Sequence, residues 1–199
     1  MFTLMTGFYK YMFKKDEYFV LILGLDNAGK TTFLEQTKTK FNRNYKGINL
    51  KKITSTVGLN IGKIDTSNIR LSFWDLGGQE ELQSLWDKYY AESNAIIYVV
   101  DSSDENRLDE SKSAFDQMIS NASLQGVPLL VLANKQDLPN CVSMNIIDKL
   151  FCQEQSDMIQ RSCKTQSASA LTGEGIDEGI KWLVNCIKNN SFFRPPLQT

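Results

Sequence analysis

From Tyr18 onward, short runs of β-branched and aromatic residues alternate with longer segments of mixed polarity. This alternation is typical of repeated βα units. The apolar runs predict strands at 18–23, 57–64, 69–74, 95–100, 129–132 and about 164–167. The mixed segments predict helices at 30–40, 106–121, 143–151 and 176–189, with a shorter or irregular one near 82–90. The sequence therefore predicts an α/β fold, a mixed six-stranded sheet with helices on both faces.

Only Asp65-Thr66-Ser67-Asn68 joins the second and third predicted strands. Because this spacer is too short for a helical crossover, the two strands should form an antiparallel hairpin at the sheet edge, with the other strands parallel. We expect one domain over residues 18–190. An N-terminal amphipathic helix should occupy residues 1–17, and residues 191–199 should form a short, unpacked C-terminal tail.

The N-terminal segment has apolar side chains at i, i+3, i+4, i+7 and i+8, namely Met5, Phe8, Tyr9, Met12 and Phe13. This spacing predicts a helix with one apolar face, suited either to a membrane surface or to permanent docking on the domain. The basic residues follow the apolar stretch instead of preceding it, so a secretory signal is not expected.

The charge, the apolar runs and the cysteine content of the chain limit the classes of function to consider. The 22 basic and 23 acidic residues give a net charge of -1, so no whole-chain field attracts nucleic acid. No apolar run approaches the ~20 residues of a spanning helix. The four cysteines, Cys141, Cys152, Cys163 and Cys186, are widely spaced and the chain has no histidine, so we expect cytosolic thiols instead of a zinc site.

A phosphate-binding loop is predicted at Gly24-Leu25-Asp26-Asn27-Ala28-Gly29-Lys30-Thr31, which matches GxxxxGK[ST] between an apolar strand and a helix. Its glycines allow the backbone N–H groups to approach the phosphates. Lys30 adds positive charge, and Thr31 offers a hydroxyl to Mg²⁺. The loop alone leaves ATPases and small-molecule kinases open.

A base-reading loop is predicted at Asn134-Lys135-Gln136-Asp137, directly after a strand. Asp137 can accept from N1–H and the exocyclic amine of guanine, whereas adenine would leave the carboxylate unpaired. Asn134 can bridge the base and the phosphate loop, and the stem of Lys135 can cover the purine. Ser169-Ala170 can offer a backbone N–H to guanine O6.

The segment Trp74-Asp75-Leu76-Gly77-Gly78-Gln79 predicts a γ-phosphate sensor. Asp75 would hold Mg²⁺ through water, the Gly78 N–H would meet the phosphate, and Gln79 would orient the attacking water. Thr56 is the candidate for the threonine that closes over Mg²⁺, with Thr54 and Ser55 as competitors by spacing. Mg²⁺ ligands are thus predicted at Thr31, Thr56 and Asp75, and catalytic roles at Lys30 and Gln79.

Hydrolysis should be slow without a partner. Asp26 places a carboxylate near the leaving phosphates, and no arginine is obviously placed as an internal finger, so an activating protein should supply one in trans. Two alternatives remain: a GTP-binding scaffold with negligible hydrolysis, and a P-loop kinase, for which neither a lid nor an acceptor pocket is visible.

These motifs, together with Thr56-Val57-Gly58-Leu59-Asn60, resemble the Arf/Arf-like family of small GTPases over nearly the whole chain. Residues 81–90 and Met1-Phe2 are similar to the Arf-related protein subgroup. The resemblance implies GTP, GDP and Mg²⁺ as cofactors. It also implies nucleotide contacts at Gly24, Asp26, Asn27, Ala28, Gly29, Lys30, Thr31, Thr32, Thr56, Gly78, Asn134, Lys135, Asp137, Ser169 and Ala170.

The resemblance also implies partners and a place in the cell. It implies a monomer with an exchange factor, an activating protein, and effectors that contact Leu59, Trp74 and Tyr89, although ordinary packing is an equal explanation for these three. Phe2 replaces the glycine that many members myristoylate. Acetylation of Met1, a membrane receptor, and a distribution between cytosol and trans-Golgi membranes are therefore implied, for a GDP/GTP switch in vesicle trafficking.

Overall fold

The computed structural model describes residues 15–66, 69–153 and 161–197. Within these ranges, six strands form one sheet in the order β2-β3-β1-β4-β5-β6. The strands are β1 (Asp16–Leu23), β2 (Leu59–Asp65), β3 (Ile69–Leu76), β4 (Ala95–Asp101), β5 (Leu129–Asn134) and β6 (Cys163–Ser167). β2 is antiparallel to β3, and the other four pairings are parallel. The predicted mixed sheet and its edge hairpin are confirmed; residues 67–68 of the turn lie outside the described ranges.

The α-helices are α1 (Lys30–Phe41), α2 (Glu80–Gln83), α3 (Asp87–Tyr90), α4 (Leu108–Ile119), α5 (Met144–Asp148) and α6 (Ile176–Asn189). The predicted helix at 176–189 is confirmed, and that at 30–40 extends by one residue. The segment near 82–90 forms two separate turns, because Trp86 between them is buried and its Nε1 donates to the Gly77 carbonyl at 3.0 Å. The helix predicted at 143–151 ends at Asp148 and continues as a π-helical segment, Lys149–Gln153.

Apolar side chains fill both faces of the sheet. Val20 and Ile22 of β1 point to one face, against Phe33 of α1 and Leu183 of α6, and the alternate residues of β1 point to the other. There Leu21 and Leu23 belong to a core with Tyr98, Phe115 and Phe151. Because period-two alternation sends neighbouring side chains to opposite faces, strands buried on both sides read as continuous apolar runs. Those runs made the strands visible in the sequence.

The two chain ends depart from the prediction. Residues 1–14 of the predicted N-terminal helix lie outside the described ranges, and Asp16 already belongs to β1, where it pairs with Ile69. The tail is not unpacked: the Leu197 N–H donates to the Glu17 carbonyl at 2.9 Å, and Arg194 donates to the carbonyl of Ser93 at 3.2 Å. Backbone acceptors in β1 and in the loop before β4, both distant in the sequence, hold the tail, which no local pattern could show.

The cysteine prediction is wrong for one pair. Cys152, in the π-helical segment, and Cys163, at the start of β6, form a disulfide with a Cα–Cα distance of 6.2 Å, while Cys141 and Cys186 are free. Sequence spacing could not predict this disulfide, because the two segments become neighbours only in the folded domain. In the described ranges, no helix is long and apolar enough to cross a membrane.

Candidate nucleotide-binding site

The phosphate-binding loop runs from β1 into α1 with three residues at positive φ, Gly24 at 134°, Asn27 at 59° and Gly29 at 96°. Lys30 is buried, and its Nζ donates to the carbonyls of Gly24 at 2.9 Å and Leu25 at 2.6 Å. Burial lowers the pKa of Lys30 to about 8, against an opposite effect of Asp75 and Asp26. The loop therefore surrounds the lysine head. The cavity above it is lined by residues predicted to contact the nucleotide or Mg²⁺, including Asn27, Lys30, Thr31, Thr32, Thr56 and Gly78, and by Gln79, predicted to orient the attacking water.

Three oxygen-bearing side chains meet beside this loop. The Thr31 hydroxyl donates to Asp75 Oδ2 at 2.6 Å, and its oxygen lies 2.6 Å from Thr56 Oγ1. Because Thr31 gives its single proton to the carboxylate, Thr56 must donate to Thr31. Thr54 and Ser55 are exposed, and of the three candidates Thr56 is the one in contact with Thr31.

The chemistry of these oxygens fits Mg²⁺. Asp75 is fully buried, and its Oδ1 has no hydrogen-bond partner within the described part of the chain. Burial raises the pKa of Asp75, while the bond from Thr31 opposes this effect. A buried carboxylate oxygen without a partner, next to two hydroxyls, is a donor set suited to a hard divalent cation. Thr31, Thr56 and Asp75 could hold the ion directly or through water.

Gly78 allows the γ-phosphate segment to touch the phosphate-binding loop. A Cβ at this position would lie 2.4 Å from the Gly24 carbonyl and 2.4 Å from Lys30 Nζ. The Gly78 carbonyl accepts from the Asp26 N–H at 3.2 Å, which ties the two segments together. Gln79 follows directly, half-buried, and lines the same cavity. The predicted sensor and the predicted loop thus share one site.

The base-reading residues lie at the carboxyl end of β5. Asn134 is buried, its Nδ2 donates to the Ala28 carbonyl at 2.8 Å, and its Oδ1 accepts from the Ala170 N–H at 2.8 Å. The predicted bridge from Asn134 to the phosphate-binding loop is present, and it extends to the Ser169-Ala170 loop as well. Since the Ala170 N–H already has an acceptor, a bond to guanine O6 would have to share or replace it.

Asp137 is exposed, and its Oδ1 accepts from the Ser169 hydroxyl at 2.6 Å, which fixes the orientation of the carboxylate. Lys135 has φ 66°, and its Nζ forms an ion pair with Asp101 Oδ2 at 2.5 Å. The pair holds the lysine beside the end of β4. Three loops, after β4, β5 and β6, therefore meet at the edge where the base is predicted to bind.

Arg107 is a site residue that the sequence analysis missed. Its guanidinium donates to Asp26 Oδ1 at 2.7 Å and to the Asp26 carbonyl at 3.3 Å, and it also pairs with Glu110 at 2.8 Å. The Asp26 charge, read from the sequence as opposing phosphoryl transfer, is thus paired. Arg107 is 81 positions away in the chain, so only the fold brings the two together.

The three predicted effector residues form a partial cluster. Trp74 and Tyr89 are in edge contact, with ring centroids 5.2 Å apart. Leu59 is 37% exposed, and its cross-strand partner is Leu76; Ile61 faces Trp74. Apolar surface here also includes Val57, which is 85% exposed.

A phosphate loop followed by a helix, an oxygen cluster suited to Mg²⁺ and a loop with guanine-matching chemistry at the same sheet edge define a small GTPase. The model of the ADP-ribosylation factor family matches residues 4–187, and the chain belongs to this family. It therefore binds GTP or GDP with Mg²⁺ and hydrolyses GTP, as the sequence predicted.

The relatives cover the full chain. "ADP-ribosylation factor-related protein 1" of Bos taurus is 63% identical over 198 residues, covering 100% of this chain and 98% of its own. The Homo sapiens protein of that name is 62% identical with the same coverage. "ADP-ribosylation factor-like protein 3" of Saccharomyces cerevisiae is 43% identical over 99% of both chains. These relatives support the predicted Arf-related subgroup.

Among solved structures, the Arl6 BBS3 small GTPase from Trypanosoma brucei, with the bound nucleotide analogue GppNp, is similar to this chain. The TM-score is 0.74 at 30% identity, covering 87% of this chain and 98% of that one.

Proposed function

We propose that this GTPase is a GDP/GTP switch that recruits effectors to trans-Golgi membranes in vesicle trafficking, with slow intrinsic hydrolysis. The contact between Thr31 and Thr56 carries the switch part of the proposal, because it joins the phosphate-binding loop to the segment that leads into β2. The 62–63% identity with Arf-related proteins over the full chain supports the trafficking role.

The nucleotide contacts are assigned from the geometry above. The loop from Gly24 to Thr32 would surround the phosphates, with Lys30 turning from its carbonyl partners toward them. Asp137 would accept both donors of guanine, and the stem of Lys135 would cover the base. Asn134 would keep the phosphate and base loops at a fixed separation, so that one purine nucleotide spans both.

Hydrolysis would depend on positioning and charge. Mg²⁺, when bound by Thr31, Thr56 and Asp75, supplies positive charge to the phosphate oxygens. Lys30 would neutralise part of the phosphate charge, and the Gly78 N–H would donate to the γ-phosphate. Gln79, at the rim of the same cavity, would hold the attacking water by its side-chain amide.

The switch would reach the effector surface through backbone bonds. The Gly77 N–H donates to the Gly58 carbonyl at 3.0 Å, and Gly77 accepts from Trp86 Nε1. A movement of the γ-phosphate sensor would therefore also move the start of β2, next to Val57 and Leu59. An effector would read this surface together with Trp74 and Tyr89.

The remaining partners follow from the same proposal. We place the protein in the cytosol and, as a peripheral protein, on trans-Golgi membranes, as a monomer that uses an exchange factor and an activating protein. The N-terminal segment and a membrane receptor for acetylated Met1 would provide membrane attachment. The scaffold alternative rested on the Asp26 charge, and the pairing with Arg107 removes that support.

Single-turnover hydrolysis tests the catalytic part. Gln79→Leu should slow GTP hydrolysis by about 10²-fold, the cost of misplacing a reactant, while GTP binding stays unchanged. Gln117→Leu, at an exposed position on α4, is the matched control and should hydrolyse normally. Equal rates for wild type and Gln79→Leu would contradict the assignment.

Imaging tests the location. Tagged Gln79→Leu should overlap a trans-Golgi marker, whereas Thr31→Asn, which disturbs the Mg²⁺ site, should be diffuse. Concentration of Gln79→Leu on another organelle would refute the trans-Golgi part and leave the switch intact.

A further inference from the structure

Two adjacent phenylalanines extend into solvent after α6. Phe192 is 88% exposed and Phe193 is 78% exposed, with ring centroids 5.3 Å apart and the rings perpendicular. Phenylalanine is a residue that folding normally buries, and a paired apolar projection is a feature of interaction sites. Both residues belong to the tail that was predicted to be unpacked, and no sequence motif indicates a function for them.

The pair is held by an ordered turn. The Phe193 N–H donates to the Asn190 carbonyl at 3.0 Å. The Arg194 guanidinium donates to the carbonyls of Ala91, Ser93 and Ser123, and the Asn94 side chain donates to the carbonyl of Arg194 at 3.2 Å. These bonds tie the turn to loops before β4 and β5. The rings are therefore presented in a fixed position on the domain surface.

The phenylalanine pair lies at the edge of the sheet opposite the predicted nucleotide site. Asn94 directly precedes β4, and Leu197 bonds to Glu17 near the start of β1, so the tail lies at the amino ends of the strands. The phosphate and base loops follow the carboxyl ends of β1 and β5. Seven-residue strands separate the two edges by roughly 20 Å. A partner at the phenylalanine pair would leave the nucleotide site open.

The N-terminal segment, whose sequence predicts an amphipathic helix, joins the domain at this same edge, the amino ends of the strands. Residues 1–14 connect to Lys15, two positions before the Glu17 carbonyl that accepts from Leu197. The residues predicted to form an apolar helix face, among them Met5, Phe8 and Met12, are therefore joined to the described domain at this edge. One weak anchor gives only marginal membrane binding, and a second contact on the same side strengthens it through effective concentration.

We propose that Phe192 and Phe193 are a second membrane contact, whose rings insert into the interfacial region of a phospholipid bilayer. The net charge of -1 gives the chain as a whole no attraction to anionic lipid, and the surface offered at this contact is that of two exposed phenylalanine rings. This inference rests on the membrane association in the proposed function.

The test is binding of the GTP-loaded full chain to neutral phosphatidylcholine vesicles, measured by cosedimentation. Phe192→Ser/Phe193→Ser should reduce the partition coefficient on the order of tenfold or more, from the apolar area lost. Ile146→Ser, which removes a 49% exposed apolar side chain from α5, should change it less than about twofold. Anionic lipid should not restore binding of the double variant.

Phe8→Ser/Met12→Ser separates the inference from the proposal on which it rests. If this N-terminal variant loses vesicle binding and the tail variant does not, the tail inference is wrong and membrane association stands. If wild type fails to bind vesicles at all, the tail inference is wrong, while imaging in cells tests receptor-dependent attachment and GTP binding and hydrolysis test the switch independently. If the tail variant binds vesicles normally but shifts a dimer to monomer in sedimentation velocity, the pair is a contact between copies and the lipid assignment is overturned.

Discussion

Asn134 should be the side chain whose loss does most damage to both loops of the site. It is 1% exposed and uses both polar atoms, one for Ala28 and one for Ala170, which are themselves 2% exposed. The Asn134→Ala change removes the amide and leaves a buried carbonyl and a buried N–H without partners. Each such group costs about 1–3 kcal/mol. The expected loss is therefore about 2–6 kcal/mol, a large part of the ~5–15 kcal/mol that stabilises a typical domain.

Urea denaturation measures this loss. With a slope of about 2 kcal/mol per M, a loss near 4 kcal/mol moves the midpoint down by about 2 M. GDP and Mg²⁺ must be held at a fixed excess for every variant, because bound ligand itself adds to the free energy of unfolding. Dissociation of a fluorescent GDP analogue should be faster in the same variant, since the phosphate and base loops lose their common support.

Asn42→Ala is the matched control. Its Nδ2 makes one solvent-exposed bond, to the Lys63 carbonyl at 2.8 Å, so its removal should cost less than about 1 kcal/mol. Asn134→Asp sharpens the comparison, because it keeps an acceptor for Ala170 but turns a carboxylate oxygen toward the Ala28 carbonyl. It should be at least as damaging as alanine. An Asn134→Ala midpoint no lower than that of Asn42→Ala would refute the bridging role.

Three further outcomes are expected. Asp137→Asn should weaken GTP binding by about 10²-fold or more and favour XTP, whose O2 accepts where guanine donates; a competition assay that still prefers GTP would contradict the base assignment. Arg107→Ala should leave Asp26 unpaired and speed GDP release several-fold, with partial rescue by Asp26→Asn in the double variant; additive effects in this cycle would show that the pair is not coupled. Gly78→Ala should abolish stable GTP binding, because its Cβ would lie 2.4 Å from the backbone carbonyl oxygen of Gly24, and normal GTP affinity by calorimetry would show that the loops can separate.

Local patterns determined most of the secondary structure. The central strands, which are buried on both faces, appear as apolar runs; the less buried edge strands β2 and β6 were also predicted, and no strand end is wrong by more than two residues. The phosphate-binding loop could be predicted because its glycines, lysine and threonine belong to one short continuous motif. The interruption of the helix near Trp86 could not be predicted, since it is associated with a hydrogen bond from the indole to the Gly77 carbonyl, nine residues earlier.

The sequence by itself determined which chemical groups are present and that they lie at or after the carboxyl ends of strands. Lys30 and Thr31 follow β1, Asp75 lies at the end of β3, and Asn134 ends β5 with Asp137 shortly after it. The tertiary structure decided which of them touch. It selected Thr56 over Thr54 and Ser55, paired Arg107 with Asp26, joined Cys152 to Cys163 and fixed the tail on the loops before β4 and β5. The physical reason is range: backbone propensity and hydrophobic period act over a few residues, whereas these contacts join positions 11 to 101 residues apart, which only the packed sheet brings within bonding distance.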